Sequence, residues 1–300
     1  MRLNTTVAGA LALGAVVLCF GALPPKGPVS EQTCPLEVVA IPTQGGRATT
    51  PAVIRIPPDA KRAPAIIYLH GGLDTFTVEQ LKEKSRGPNN MSRFLAAGWI
   101  TVVPTFRERN QDPQTADALR DCLDVIAYVK KMPQVDPNSV VVYGTSGGGS
   151  LAIEIAGEVS LPAVVAEEPA SILFTGMFTK ASAHGNTRMS SKDSREMMQD
   201  PKKYYTPEVQ KTTREKIAKV RCPMFFGEGG VHYINRINNE IVFPEFVKAG
   251  KEFEVHLFPG QNHGFSMKSD RFFEDMWTFV AKRVPSRGSA IETSLLRRTN

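Results

Sequence analysis

Short continuous apolar runs alternate with longer amphipathic stretches along most of this chain. Residues 65–69, 99–103, 140–143, 161–166, 222–227 and 252–258 are short runs rich in Val, Ile, Phe and Ala, the pattern of strands covered on both faces. Between them, residues 90–97, 116–131, 150–156, 239–249 and 269–282 read as helices. In the second of these Leu119, Leu123 and Ile126 recur at a period near 3.6, and Gly98, Pro133 and Gly250 end three of the five. Residues 36–41 and 51–56, separated by Gly45-Gly46 and closed by Pro57-Pro58, read as two opening antiparallel strands. Strand and helix in regular alternation predict an α/β fold: a mostly parallel twisted sheet of about eight strands with helices on both faces.

Three segments depart from this pattern. Arg2 precedes an apolar run over residues 7–23, which Pro24-Pro25-Lys26-Gly27-Pro28 breaks; residues 1–23 read as an export signal or a membrane anchor. That reading places the protein in the periplasm or outside the cell, with membrane attachment through residues 1–23 as the alternative. Residues 171–220 lose periodicity and gather basic residues such as Lys180, Arg188, Lys202, Lys211 and Lys219, the expectation being a cap or lid segment within a domain of residues 24–283. Residues 284–300, with Arg287, Arg297 and Arg298, read as a disordered basic tail.

Composition narrows the function classes. Three hundred residues, 42% hydrophobic and 22% charged, suit one large α/β domain. The net charge of +6 comes without any basic run interleaved with aromatics, which argues against nucleic acid as a partner. Beyond residue 23 the cysteines are Cys34, Cys122 and Cys222, an odd number without metal-ligand spacing. They read as buried small residues, one disulfide among them being the alternative. No metal and no organic cofactor is implied, and oligomeric state is open.

The chemistry concentrates where the 140–143 strand ends. Gly144-Thr145-Ser146-Gly147-Gly148 is a G-x-S-x-G between a strand and a helix, and a serine on so sharp a turn needs neighbours without Cβ atoms. Gly147 offers a backbone N–H directly after the serine, at a helix N-terminus where developing negative charge is stabilised. Earlier, the 65–69 strand ends in His70-Gly71-Gly72, where Gly72 or Leu73 is a second donor and Gly71 lets the backbone approach a substrate. A serine hydroxyl needs a base to attack a carbonyl at neutral pH. His263, in a glycine-bounded loop after the last strand, is the candidate; His184 and His232 lie in less constrained segments and His256 inside a strand. Glu168 and Glu228 both fall at strand ends and both remain open as the acid that orients the histidine, with Glu167 beside the first. Arg107, also at that edge, either orients a substrate carboxylate or braces a loop.

His70-Gly71-Gly72, Gly144-Thr145-Ser146-Gly147-Gly148, Cys222-Pro223-Met224-Phe225-Phe226-Gly227 and His263-Gly264-Phe265 occur in an order that resembles the α/β-hydrolases, nearest the dienelactone hydrolase and prolyl oligopeptidase-like esterase branch, over residues 36–283. The resemblance implies a Ser-acid-His hydrolase of esters or amides. Ser146 in place of cysteine separates the chain from dienelactone hydrolase itself, and its length leaves no room for the propeller of the large oligopeptidases. In that branch the acid is an aspartate three residues after the glycine of the penultimate strand, a position held here by Gly230. Glu168, before Pro169-Ala170, occupies the place where some lipases and dehalogenases of the wider fold carry theirs, which makes Glu168 the expected acid and Glu228 the alternative. The expectation is an exported serine esterase that forms an acyl-enzyme on small-molecule or polymer-borne esters. A peptidase or amidase of the same fold is one alternative, and a non-catalytic envelope-binding homologue is the other.

Overall fold

A computed structural model describes residues 23–24, 29–87, 91–109, 115–177, 196, 199–230, 232–265 and 269–284. Eight strands form a single sheet: β1 (Glu37–Thr43), β2 (Ala48–Arg55), β3 (Ala63–Leu69), β4 (Ile100–Pro104), β5 (Val135–Thr145), β6 (Val164–Glu167), β7 (Met224–Glu228) and β8 (Phe253–Leu257). Their order is β1-β2-β4-β3-β5-β6-β7-β8. β1 pairs antiparallel with β2, and β2 with β4; every other pairing is parallel. From β3 the chain moves outward to β4, then returns to lay β5 on the opposite side of β3. This reversal opens a crevice at the carboxyl ends of β3 and β5, the place where ligands bind in open α/β sheets.

Side chains alternate across the strands and divide the core into two layers. Ala65, Ile67 and Leu69 of β3 and Val140 and Val142 of β5 face one layer. There they meet α3 (Asp117–Lys131) through Val125 and Val129, and α4 (Gly147–Glu158) through Leu151 and Ile155. Ile66, Tyr68, Val141 and Tyr143 face the other layer, against Leu81 of α1 (Val78–Arg86), Phe94 of α2 (Met91–Ala96), and Phe272 and Met276 of the last helix. Strands buried on both faces lose the polar alternation of a half-exposed sheet, which is why they read as unbroken apolar runs.

Four helices, α1 and those over Ser171–Thr175, Pro207–Lys219 and Tyr233–Ile237, lie outside those expected from the sequence. α1 has a capping box between Thr77 and Gln80 but buries only Leu81 and Ser85, so no apolar stripe marks it. The helix expected over residues 239–249 begins earlier, as α7 (Tyr233–Ile237), and runs through a π-turn at Asn238–Val242 into α8 (Phe243–Lys248). Within the expected cap, α5 (Ser171–Thr175) is followed, beyond the undescribed stretch, by α6 (Pro207–Lys219). Ile217 of α6 belongs to the main core layer, so this part of the segment covers the sheet. Residues 178–195, with Lys180, His184 and Arg188, lie outside the described residues. So do residues 1–22 of the expected signal or anchor and residues 285–300 of the expected tail.

The closing helix is α9 (Asp270–Ala281), whose burial of Phe272, Phe273, Met276 and Phe279 follows the predicted 3.6 period. Among the described residues no helix is long and apolar enough to cross a membrane. Cys34, Cys122 and Cys222 are free and buried, and burial pushes all three thiols up.

Candidate active site

β5 delivers Ser146 into a backbone conformation that side chains rarely adopt, φ 53° and ψ −112°. Its neighbours show why glycine surrounds it. A Cβ on Gly144 would collide with the backbone of Gly148, and a Cβ on Gly148 with the carbonyls of Leu69 and His70. The turn is then tied from both sides: Ser146 N donates to Glu167 O at 2.9 Å, and Ala170 N donates to Ser146 O at 2.8 Å. A strained turn of this kind persists only where such surroundings over-determine it.

The loop after β3 lies directly alongside. A Cβ on Gly71 would stand 3.3 Å from Ser146 Cβ, and Gly72 turns at φ 88° with its carbonyl against Gly147. Leu73 is anchored by its carbonyl, which accepts Arg109 N at 2.8 Å. His70, wholly buried, stacks between Phe76 and Phe106 with ring centroids 3.6 and 4.2 Å away. Burial drives its imidazole down to about 4, so it is neutral at ordinary pH. Its Nδ1 lies 3.0 Å from Gly71 O, a separation that requires the proton on Nδ1. That carbonyl shares a planar peptide with Gly72 N–H, so His70 sets the direction of that N–H. The two backbones proposed to hold an oxyanion, Gly72 and Gly147, are therefore adjacent and held.

His263 reaches the serine from the loop after β8. Its Nε2 lies 2.9 Å from Ser146 Oγ, and its Nδ1 faces Glu168 Oε2 at 3.3 Å. Aromatic packing holds that loop: Phe265 contacts Phe258 and Phe272, centroids 4.8 and 5.8 Å apart. Glu168 follows β6 with φ 40°, and its carboxyl is wholly buried. Oε1 accepts Gly229 N at 3.1 Å and Asn235 Nδ2 at 3.3 Å, and Oε2 accepts Gly264 N. A buried carboxylate supplied with N–H donors on both oxygens can remain charged behind a histidine that gains a proton.

The remaining candidates lie elsewhere in the same neighbourhood. Glu228 ends β7 wholly buried, its oxygens taken by Asn235 Nδ2 at 2.6 Å and Asn238 Nδ2 at 2.9 Å. Burial pushes its carboxyl well above the usual range, against the pull of those two donors. Glu167 accepts Tyr143 OH at 2.7 Å and Thr145 Oγ1 at 2.8 Å. Arg107 forks onto the buried Asp121 and reaches Asp117, which ties it to α3. His256 pairs with Asp275 and Glu254 on the sheet edge. Sequence reasoning passed over His232, whose ring stacks on His263 with centroids 4.8 Å apart. Burial, then the neighbouring His263, hold it below the ordinary imidazole value, with Glu168 opposing. It also passed over Asn235 and Asn238; their spacing of three at the start of a helix, just beyond Glu228, was the available signal.

Residues 104–286, more than half of the chain, match the prolyl oligopeptidase family. Among solved structures the fold is similar to a bacterial heroin esterase, with a TM-score of 0.61 at 18% identity over 86% of this chain and 87% of that one. It is similar to the carboxylesterase EstE1 from a metagenomic library, with a TM-score of 0.56 at 19% identity over 87% and 90%. A puromycin-hydrolyzing peptidase of Mycobacterium tuberculosis matches with a TM-score of 0.59 at 14% identity, over 86% of this chain and 40% of that one. In sequence, 99 residues are 34% identical to the quorum-quenching protein AidA of Acinetobacter baumannii, 30% of this chain and 31% of that relative's length. The expected α/β-hydrolase fold and its branch are both borne out: the chain belongs to the prolyl oligopeptidase family, within the serine esterase and peptidase superfamily of α/β-hydrolases.

Proposed function

We propose that the protein is a serine hydrolase of carboxylic esters that works through Ser146, His263 and Glu168. The observation that carries this reading is the run of contacts from Ser146 Oγ to His263 Nε2 at 2.9 Å and from His263 Nδ1 to Glu168 Oε2 at 3.3 Å. Ser146 Oγ attacks the ester carbonyl as its proton passes to His263, and Glu168 stabilises the imidazolium. The oxyanion of the tetrahedral intermediate lies against the N–H groups of Gly147 and of Gly72 or Leu73. His263 returns the proton to the departing alkoxide, leaving an acyl group on Ser146. Water, deprotonated by the same histidine, then releases the acid. General base catalysis of this kind contributes about 10²–10⁴-fold.

The test is labelling of the purified protein by a fluorophosphonate, beside Ser146→Ala. Labelling that vanishes in the variant is expected; a folded wild type that takes no label would refute the reading and favour a non-catalytic binding role. Substrates would then be screened as linear and cyclic esters of increasing acyl length. Similarity to a quorum-quenching protein adds small signal molecules to that screen.

A peptidase is the second reading, supported by the family and by the peptidase among the similar structures. Ester and amide substrates with one acyl group decide between them: an esterase turns over the amide far more slowly, because the amine is the poorer leaving group. Export is proposed on the apolar run of residues 7–23 alone, and fractionation of the cells that make the protein tests it.

A further inference from the structure

We infer that Asn235 is a positioning residue for Glu168, holding its carboxylate toward His263 by tying it to Glu228. The inference rests on the triad reading above. Asn235 is 3% exposed, and its amide oxygen accepts His232 N at 3.2 Å, which decides which end of the amide faces the carboxyls. Nδ2 then places its two hydrogens on Glu168 Oε1, at 3.3 Å, and Glu228 Oε2, at 2.6 Å. It is the one side-chain donor to Glu168 Oε1 among the described residues; the other donor there is Gly229 N. Asn238 braces the pair from behind, donating to Glu228 Oε1 at 2.9 Å and to Pro169 O, next to Glu168, at 3.2 Å.

Charge assigns the two carboxyls different states. Glu168 is faced by Glu228 from β7, His232 from the start of α7 and His263 from the loop after β8, while the carboxyl of the preceding Glu167 sits on Tyr143 and Thr145. Neither Glu168 nor Glu228 has a lysine or arginine partner among the described residues. Two buried carboxylates sharing one amide, without a cation, repel strongly enough that one takes a proton. Glu168 has backbone N–H donors and an imidazole to answer its charge. Glu228 has only the two asparagine amides, and burial favours its neutral form. The two strand ends thus carry one charged acid and one uncharged spacer.

The experiment measures the second-order rate of fluorophosphonate labelling of Ser146 from about pH 5 to about 9 in the full chain, with urea midpoints alongside. In Asn235→Ala the rate falls about tenfold or more, the worth of a hydrogen bond to a charged group. Its acid limb also moves to higher pH, because the Glu168 carboxylate has lost a donor that favours its charged form. A purely structural residue would lower the rate equally at every pH. Should Asn235→Ala fail to fold, Asn235→Leu keeps about the same size, removes the donors without adding a charge and is read the same way. Glu228→Gln removes no charge, so its acid limb stays in place and its rate falls far less than that of Glu168→Gln. An Asn235 variant with the wild-type rate and limb, or a Glu228→Gln that moves the limb, overturns the inference while the triad stands. Wild type that takes no label overturns both.

Discussion

Gly229→Ala tests whether the buried position of Glu168 matters to the chemistry. Gly229 does not sit at positive φ, so alanine meets no backbone objection there, only a steric one. A Cβ at 229 would stand 2.5 Å from Glu168 Oε1 and 2.7 Å from Gln261 O, where ordinary contact begins near 3.4 Å. The Glu168 carboxyl and the loop carrying His263 must each retreat by about 1 Å, and a misplacement of that size costs about 10²-fold in rate. Overpacking a buried site also costs about 1–3 kcal/mol of stability. The neighbouring position is the control: a Cβ at 230 meets Gly260 N at 3.2 Å, which asks for a few tenths of an ångström. The assay is kcat and KM on an activated aryl ester, with urea unfolding of each variant. Gly229→Ala is expected to lose about 10²-fold in kcat with KM within about threefold, and Gly230→Ala to stay within about fivefold of wild type. Equal rates in the two variants would refute the reasoning, because the packing that separates them is the packing around Glu168.

Two other predictions concern residues beside the site. His70 is buried and neutral with its folded value lowered to about 4 from the ordinary 6.5, so the unfolded chain binds its proton first as pH falls. Its contribution is complete above about pH 6.5 and declines toward pH 4 by about 3 kcal/mol; urea unfolding of wild type across that range should be steeper in pH than that of His70→Asn. Arg107→Ala leaves the buried Asp121 without its cation and is expected to cost on the order of 2–3 kcal/mol of stability. Its labelling rate should remain within about threefold of wild type if Arg107 is a brace, and a collapse of rate without loss of stability would make it a substrate contact.

Much of the sheet was legible because strands buried on both faces betray themselves as unbroken apolar runs, as at Val140, Val141 and Val142. α1 was not, since its nine residues bury Leu81 and Ser85 alone and it is held by its cap rather than by a stripe. Ser146, His263 and the glycines around them stood out because a sharp turn and a close backbone approach restrict residue type locally. The choice between Glu168 and Glu228 was different in kind. Both end neighbouring parallel strands, and the register Glu167 to Gly227 sets them side by side. What separates them is the φ of 40° at Glu168, which turns its carboxyl toward His263, and the asparagines that receive Glu228. Those are tertiary facts, as is the stacking of His232 on His263.

The same geometry gives the turn after β7 a physical account, centred on Gly229 rather than on Gly230. The resemblance places an aspartate at 230, yet this turn holds the histidine loop with its backbone: Gly230 N donates to Gln261 O at 3.0 Å, and Glu228 O accepts Phe258 N at 2.8 Å. Gly229 N donates to Glu168 Oε1, so the turn receives a carboxylate from β6 instead of presenting one of its own. Side chain and space are then exclusive, because a Cβ at 229 would occupy ground the Glu168 carboxyl holds. On the reading that Glu168 is the acid, a carboxyl after β6 and a glycine at 229 go together. Gly230 itself is exposed, and a Cβ there meets only Gly260 and Pro259, so an aspartate restored at 230 would leave the contacts of Glu168 with Gly229 and Gly264 in place and would not by itself recreate the arrangement the resemblance predicts.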